Sequence, residues 1–205
     1  MTKILLTRHG HVEGIRPERF RGRAELALTE QGLVEAAALA KRIAACWKPV
    51  MIYTSALQRC VTTGTLIAKA CGIKAESLNG LMDIDYGAWQ MRTYAEIEAE
   101  MPQAYRLWMT VPQRGRFPDG ESLQDLLART GDVLRLVLDR HPGDTVVMVG
   151  HDSVNRAILL QLLDQPLSAY WRLAQSPCAL NEIDIVGDKV TVQRINDTAH
   201  VDQPL

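Results

Sequence analysis

The chain has 205 residues, 47% of them hydrophobic and 23% charged, which fits one domain able to bury a sizeable core without a disulfide or a structural metal. Its 23 basic and 24 acidic side chains leave a net charge of -1, so bulk electrostatics gives no reason to expect a nucleic-acid partner. No run approaches the ~18 consecutive apolar residues of a membrane-spanning helix, so no membrane partner is expected.

In chain order, residues 3–7 form a short apolar run with no longer hydrophobic region or cleavage site behind it, which predicts a first strand and not a signal peptide. A basic loop follows, with Arg16, Arg19, Arg21 and Arg23 close together, either a solvated surface or an anion-gathering rim. Residues 29–46 open on Thr-x-x-Gly and carry Leu33, Ala37, Ala40 and Ile43 at helical spacing. Residues 50–54 predict a second strand, and 56–71 a helix with Ser55 placed to cap it. Two further helices are predicted over 94–109, where Pro102 interrupts or caps, and over 122–140, which His141-Pro142-Gly143 ends. The run 145–149 reads as a third buried strand, 153–163 as its helix, and 180–186 with 189–195 as a closing hairpin around Gly187-Asp188. The strand, helix, strand order predicts one α/β domain spanning 1–205. Cys46, Cys60, Cys71 and Cys178 form no C-x-x-C pair and read as reduced thiols of a cytoplasmic protein.

In open α/β sheets, ligands bind beyond the carboxyl ends of the strands. Arg8 and His9 follow the first strand, His151 the third, and Arg59 falls in the first turn of the helix after the second. Two imidazoles and two guanidiniums at one sheet edge suit phosphoryl transfer. Arginine forks pair with phosphoryl oxygens, and nearby positive charge keeps an imidazole neutral and nucleophilic.

Leu6-Thr7-Arg8-His9-Gly10 resembles the R-H-G signature of the histidine phosphatase superfamily, also called phosphoglycerate mutase-like. Leu28 with Thr29 and Gly32, Ser55 with Leu57 and Arg59, Pro118 with Gly120, Glu121 and Ser122, Val149-Gly150-His151 and Ile195-Asn196-Asp197 match further motifs in the same order. The resemblance implies a three-layer α/β/α sandwich around a mostly parallel sheet. It also implies a phosphatase that hydrolyses a small phosphorylated metabolite through a phosphohistidine on His9, without a cofactor. Arg8, Arg59 and His151 would bind phosphate. Asp83 falls where the family's acid, usually Glu, sits, and Asp85 is the reserve candidate. Arg21 and Gly22 stand where relatives touch substrate, and Ser55 is a further candidate contact.

The chain departs from the family pattern at Ile15, Asp83, Gln90-Met91 and Asp152. Two other functions are weighed: mutase-type transfer between hydroxyls of a phosphoglycerate, against which Ile15 and the short segment between Arg59 and Pro112 argue, and phosphate binding with little turnover, which the departures at Asp83 and Asp152 suggest. His9-x-His11 could be read as a metal pair, but the flanking arginines would repel a cation and no metal is predicted. His11 is open to two readings, a substrate contact or a loop residue facing solvent, while His141 is expected to end a helix and Trp89, Trp108 and Trp171 to pack. A homodimer is the default assembly.

Overall fold

Apolar side chains that alternate between two faces need cover on both, and the central strands have it. The computed structural model describes residues 1–201; the last four positions of the expected 1–205 unit lie outside the described residues. In chain order the elements are β1 (Thr2–Arg8), α1 (Glu30–Cys46), β2 (Met51–Thr54), α2 (Gln58–Cys71), β3 (Ala75–Ser77), α3 (Tyr94–Glu100), α4 (Pro102–Thr110), α5 (Leu123–Arg140), β4 (Thr145–Gly150), α6 (Asp152–Leu162), β5 (Leu180–Val186) and β6 (Lys189–Asp197). The sheet order is β3-β2-β4-β1-β5-β6. The first four strands run parallel, and β5 and β6 add antiparallel pairs at one side.

Ile4, Leu6, Tyr53, Val146 and Met148 point to one face, where Val133, Val137, Val154 and Ile158 of α5 and α6 meet them. Leu5, Ile52, Val147 and Val149 point to the other, against Leu39 and Ile43 of α1 and Ile67 of α2. Each such side chain, fully removed from water, contributes roughly 1.5–3 kcal/mol. The outcome is the expected three-layer α/β/α arrangement with a mostly parallel sheet.

Local chemistry sets the element ends. Thr29 accepts from the Gly32 N–H at 3.1 Å and caps α1. Thr93 with Glu96, and Ser122 with Asp125, form reciprocal capping boxes that start α3 and α5. Pro102 stands at the start of α4 and divides the helical segment predicted over 94–109. His141 terminates α5 as expected, and its Nε2 also meets the Tyr53 hydroxyl at 2.9 Å.

Two expectations are corrected. Strand β3 was not foreseen, because Ala75-Glu76-Ser77 is a short, largely exposed run at the sheet edge with no apolar pattern. Ser55 does not cap α2: Leu57 is the cap residue, and the helix starts at Gln58 without a side-chain cap. The Ser55 hydroxyl is turned into the protein, where His151 takes it.

Trp89 and Trp108 pack as expected. With Phe20, Tyr86 and Phe117 they form an aromatic cluster of mostly edge-to-face pairs with centroids 4.8–6.4 Å apart. Trp171 packs on Trp108 and donates its indole N–H to the Trp108 carbonyl at 2.9 Å.

Candidate active site

The ladder between β1 and β4 pairs Arg8 with Gly150, so the residues that follow, His9 and His151, leave the sheet side by side. The His9 N–H donates to the Gly150 carbonyl at 3.1 Å, and the Ser55 N–H to the Val149 carbonyl at 3.0 Å. Three strand ends therefore meet in one row. The two imidazole centroids lie 5.1 Å apart with ring planes at 62°.

The loop after β1 is seated on the first turn of α1. A Cβ at Gly10 would stand 2.4 Å from the Gly32 carbonyl oxygen, and one at Gly32 would stand 2.2 Å from the His11 carbonyl oxygen. Only two glycines allow this approach. His11 is half-buried, and its Nδ1 pairs with the Thr29 hydroxyl at 2.9 Å, outside the row of imidazoles.

Hydrogen bonding assigns the tautomers. His9 Nδ1 lies 2.7 Å from the Gly10 carbonyl oxygen, which can only accept, so Nδ1 carries the proton and Nε2 keeps its lone pair. The Arg59 Nε–H donates to His9 Nε2 and to His151 Nδ1, each at 3.2 Å. His151 consequently carries its proton on Nε2 and donates to Ser55 Oγ at 2.9 Å. Burial, then the Arg59 charge, holds both imidazoles well below their ordinary pKa, with Arg8 and, for His9, the neighbouring His151 adding to it. Both rings are neutral bases at physiological pH.

Arg59 is wholly buried. Its terminal nitrogens donate to the Ala24 and Gly22 carbonyls at 2.8 and 2.6 Å, so Gly22, at φ +48°, serves to anchor this guanidinium. Arg8 donates to the Gln175 carbonyl at 2.6 Å, while its buried Nε–H finds no acceptor among the described residues. A buried N–H of that kind costs about 1–3 kcal/mol unless an acceptor reaches it, and a phosphoryl oxygen is a suitable one.

Asp83 arrives on the segment after β3. Its Oδ1 accepts from the Ile84 N–H at 2.9 Å and from the Ser153 hydroxyl, and its Oδ2 faces Arg59 at 3.3 Å and His151 Nδ1 at 3.7 Å. Burial pushes this carboxyl up from its ordinary pKa, against the opposing pull of Arg59. Asp152 behaves oppositely: burial would raise it, but Arg8, Arg156 and Arg21 together hold it well down and ionised. Two interacting carboxyls pushed apart in this way are a pattern from which one site can draw both an acid and a fixed anion.

Asp85 is elsewhere, accepting from Gly87 N–H at 2.9 Å and pairing with Arg23 at 3.2 Å. Arg23 also pairs with Glu121 at 2.9 Å, and Arg19 donates to the Met91 carbonyl at 2.9 Å, so much of the basic loop is internal bracing and not a rim. Arg21 donates to the Gly14 carbonyl at 2.7 Å and lies within electrostatic reach of Arg8 and Asp152.

Other residues at the site were not singled out from the sequence. Arg129 donates to the carbonyls of Gly80, Met82 and Asp83 at 2.9, 2.6 and 3.0 Å and pairs with Glu121 at 2.9 Å. Glu121 lies in the Pro118 to Ser122 motif, the one signal that could have pointed to this brace. Ser153 stands two positions beyond His151, and only that proximity marks it. Among the described residues no three His, Cys, Asp or Glu side chains are grouped so as to hold a metal ion. No helix among them is long and apolar enough to cross a membrane.

A lone pair on a neutral imidazole, convergent guanidinium donors and a buried carboxyl whose hold on a proton is strengthened form a set that can move a phosphoryl group and protonate its leaving oxygen.

Comparison with known proteins agrees with this chemistry. Phosphoserine phosphatase 1 of Hydrogenobacter thermophilus is 29% identical over 201 residues, covering 98% of this chain and 95% of that protein. A protein of Cronobacter sakazakii named probable phosphoglycerate mutase GpmB is 28% identical over 209 residues, covering 100% of this chain and 97% of that one. The solved structure of Bacillus stearothermophilus YhfR superposes with a TM-score of 0.92 at 28% identity, covering 98% of this chain and 100% of that one. The family model for the histidine phosphatase superfamily (branch 1) matches residues 4–198, and the chain belongs to that superfamily.

Proposed function

We propose that this phosphoric monoester hydrolase works through a phosphohistidine at position 9 on a small phosphorylated metabolite. His9 Nε2 forms a bond to phosphorus as the ester P–O bond breaks, and the departing oxygen takes the proton of Asp83. Water then attacks phosphorus, returns a proton to the Asp83 carboxylate and displaces His9 Nε2, releasing inorganic phosphate. Arg8 and Arg59 hold the transferring group, with Arg21, Gly22 and Ser55 around it, and His151, whose Nε2–H is given to Ser55, joins them as a donor when the incoming phosphoryl charge brings a proton onto its Nδ1. The observation that carries the reading is the single Arg59 Nε–H, which stands 3.2 Å from the unprotonated nitrogens of both imidazoles.

The likeness to a phosphoserine phosphatase makes O-phosphoserine the first substrate to assay, followed by a panel of sugar phosphates and nucleotides. Rapid quenching during turnover should trap an acid-labile label that His9→Ala lacks. Failure to release phosphate from any member of the panel would sink the reading in favour of phosphate binding without turnover. A second reading, mutase-type transfer, has the name of the Cronobacter relative behind it. Phosphoglycerate isomer exchange outrunning phosphate release would favour it.

We read the described chain as one domain because one sheet takes strands from residue 2 to residue 197. The four free thiols support a cytoplasmic setting, and an isologous dimer is the default assembly to test by sedimentation.

A further inference from the structure

We propose that Ser153 is a positioning residue for the proton donor: its buried hydroxyl fixes the Asp83 carboxyl so that Oδ2 faces the phosphoryl pocket. The inference rests on the role given above to Asp83.

A carboxyl group at the end of a short side chain can turn about χ2, which is a broad, two-fold torsion, unless something holds one of its oxygens. Here Oδ1 is held twice, by the Ile84 N–H at 2.9 Å and by the Ser153 hydroxyl. Oδ2 is thereby left toward Arg59 and His151, 3.3 and 3.7 Å away. The Ile84 bond is made within the segment that carries Asp83, so it moves with that segment. The Ser153 bond comes from α6, whose first turn follows His151 directly. It therefore ties the acid to the element that carries the second imidazole. Ser153 is completely buried, Asp83 is nearly so, and among the described residues the hydroxyl has no other acceptor. A hydroxyl donated to a carboxylate also favours the ionised form, so Ser153 opposes the effect of burial on Asp83.

The bland alternative is a buried serine that merely satisfies itself on the nearest oxygen. The two are separated by comparing phenyl phosphate, whose leaving group needs a proton, with p-nitrophenyl phosphate, whose leaving group does not. Ser153→Ala should lower kcat on phenyl phosphate about tenfold, leave p-nitrophenyl phosphate within about twofold and leave KM nearly unchanged. Its alkaline limb should move to higher pH, because loss of the donated bond makes the carboxyl hold its proton more tightly. Ser153→Cys, close in volume and a weaker donor, should fall between the two and guards against a folding defect in the alanine variant. In an Asp83→Asn background, Ser153→Ala should add no further loss on phenyl phosphate. Equal losses on both esters, or the same loss with and without Asp83, would overturn the proposal while leaving the acid role intact. If Asp83→Asn alone does not discriminate between the esters, the acid role fails and this inference fails with it.

Discussion

His9 Nδ1 lies 2.7 Å from the carbonyl oxygen of Gly10, and this contact decides which nitrogen of the ring can attack phosphorus. Phosphorylation is expected on Nε2 alone, identified by phosphorus NMR of enzyme quenched in alkali during turnover. His9→Ala should lower kcat by at least about 10³-fold, the scale on which loss of a nucleophile is felt. Label on Nδ1 would mean that the Gly10 contact does not set the tautomer.

The pH profile follows from the directions in which burial and the arginines move the titrating groups. The nucleophile is active when unprotonated, and its proton affinity is depressed, so the acid limb of kcat/KM should lie below the ~6.5 of an ordinary imidazole. The donor is active when protonated, and its pKa is raised, so the alkaline limb should lie above the ~3.9 of an ordinary aspartate. The second limb should vanish in Asp83→Asn. A profile whose acid limb sits at or above 6.5 would contradict the electrostatic account.

Asp83 and Asp85 should separate cleanly. Asp83→Asn is expected to slow phenyl phosphate cleavage by about 10²-fold or more while changing p-nitrophenyl phosphate by only a few fold. Asp85→Asn breaks a partly exposed ion pair with Arg23 at 3.2 Å, worth at most about 1 kcal/mol, and should leave kcat close to wild type. Steady-state kinetics on both esters reads the difference.

Gly10→Ala tests the seat of the nucleophile. The new Cβ would stand 2.4 Å from the Gly32 carbonyl oxygen, a backbone atom that cannot swing aside. Overpacking of this kind costs about 1–3 kcal/mol, and each kcal/mol lowers Tm by roughly 2–4 °C in a chain of this size. Calorimetry should show the fall, and turnover should drop further than stability does because the loop that moves carries His9.

What could be read from the sequence was what each segment declares by itself. Strands β1, β2 and β4 are apolar on both faces and announce themselves, whereas β3 is Ala75-Glu76-Ser77 at the sheet edge and carries no pattern. Arg8 is legible because it closes a strand, His9 and His151 because they follow strand ends directly, and Arg59 because it lies in the first turn of a helix at the same edge. Ser55 was misread as a cap because local preference was outweighed by a tertiary partner, the His151 ring 2.9 Å away. The Arg129–Glu121 brace and the Ser153 contact join segments 8 to 70 residues apart, and no local periodicity encodes such a pairing.

The spacing of His9 and His151 is set by main-chain ladder bonds, with Gly150 accepting from the His9 N–H at 3.1 Å. Side chains can drift over generations while a backbone ladder stays put, so the spacing of the two chain segments that carry the imidazoles is insulated from substitutions elsewhere in the sheet. Substitutions at exposed positions that touch none of these main-chain bonds should accordingly leave turnover standing. That separation makes the scaffold evolvable.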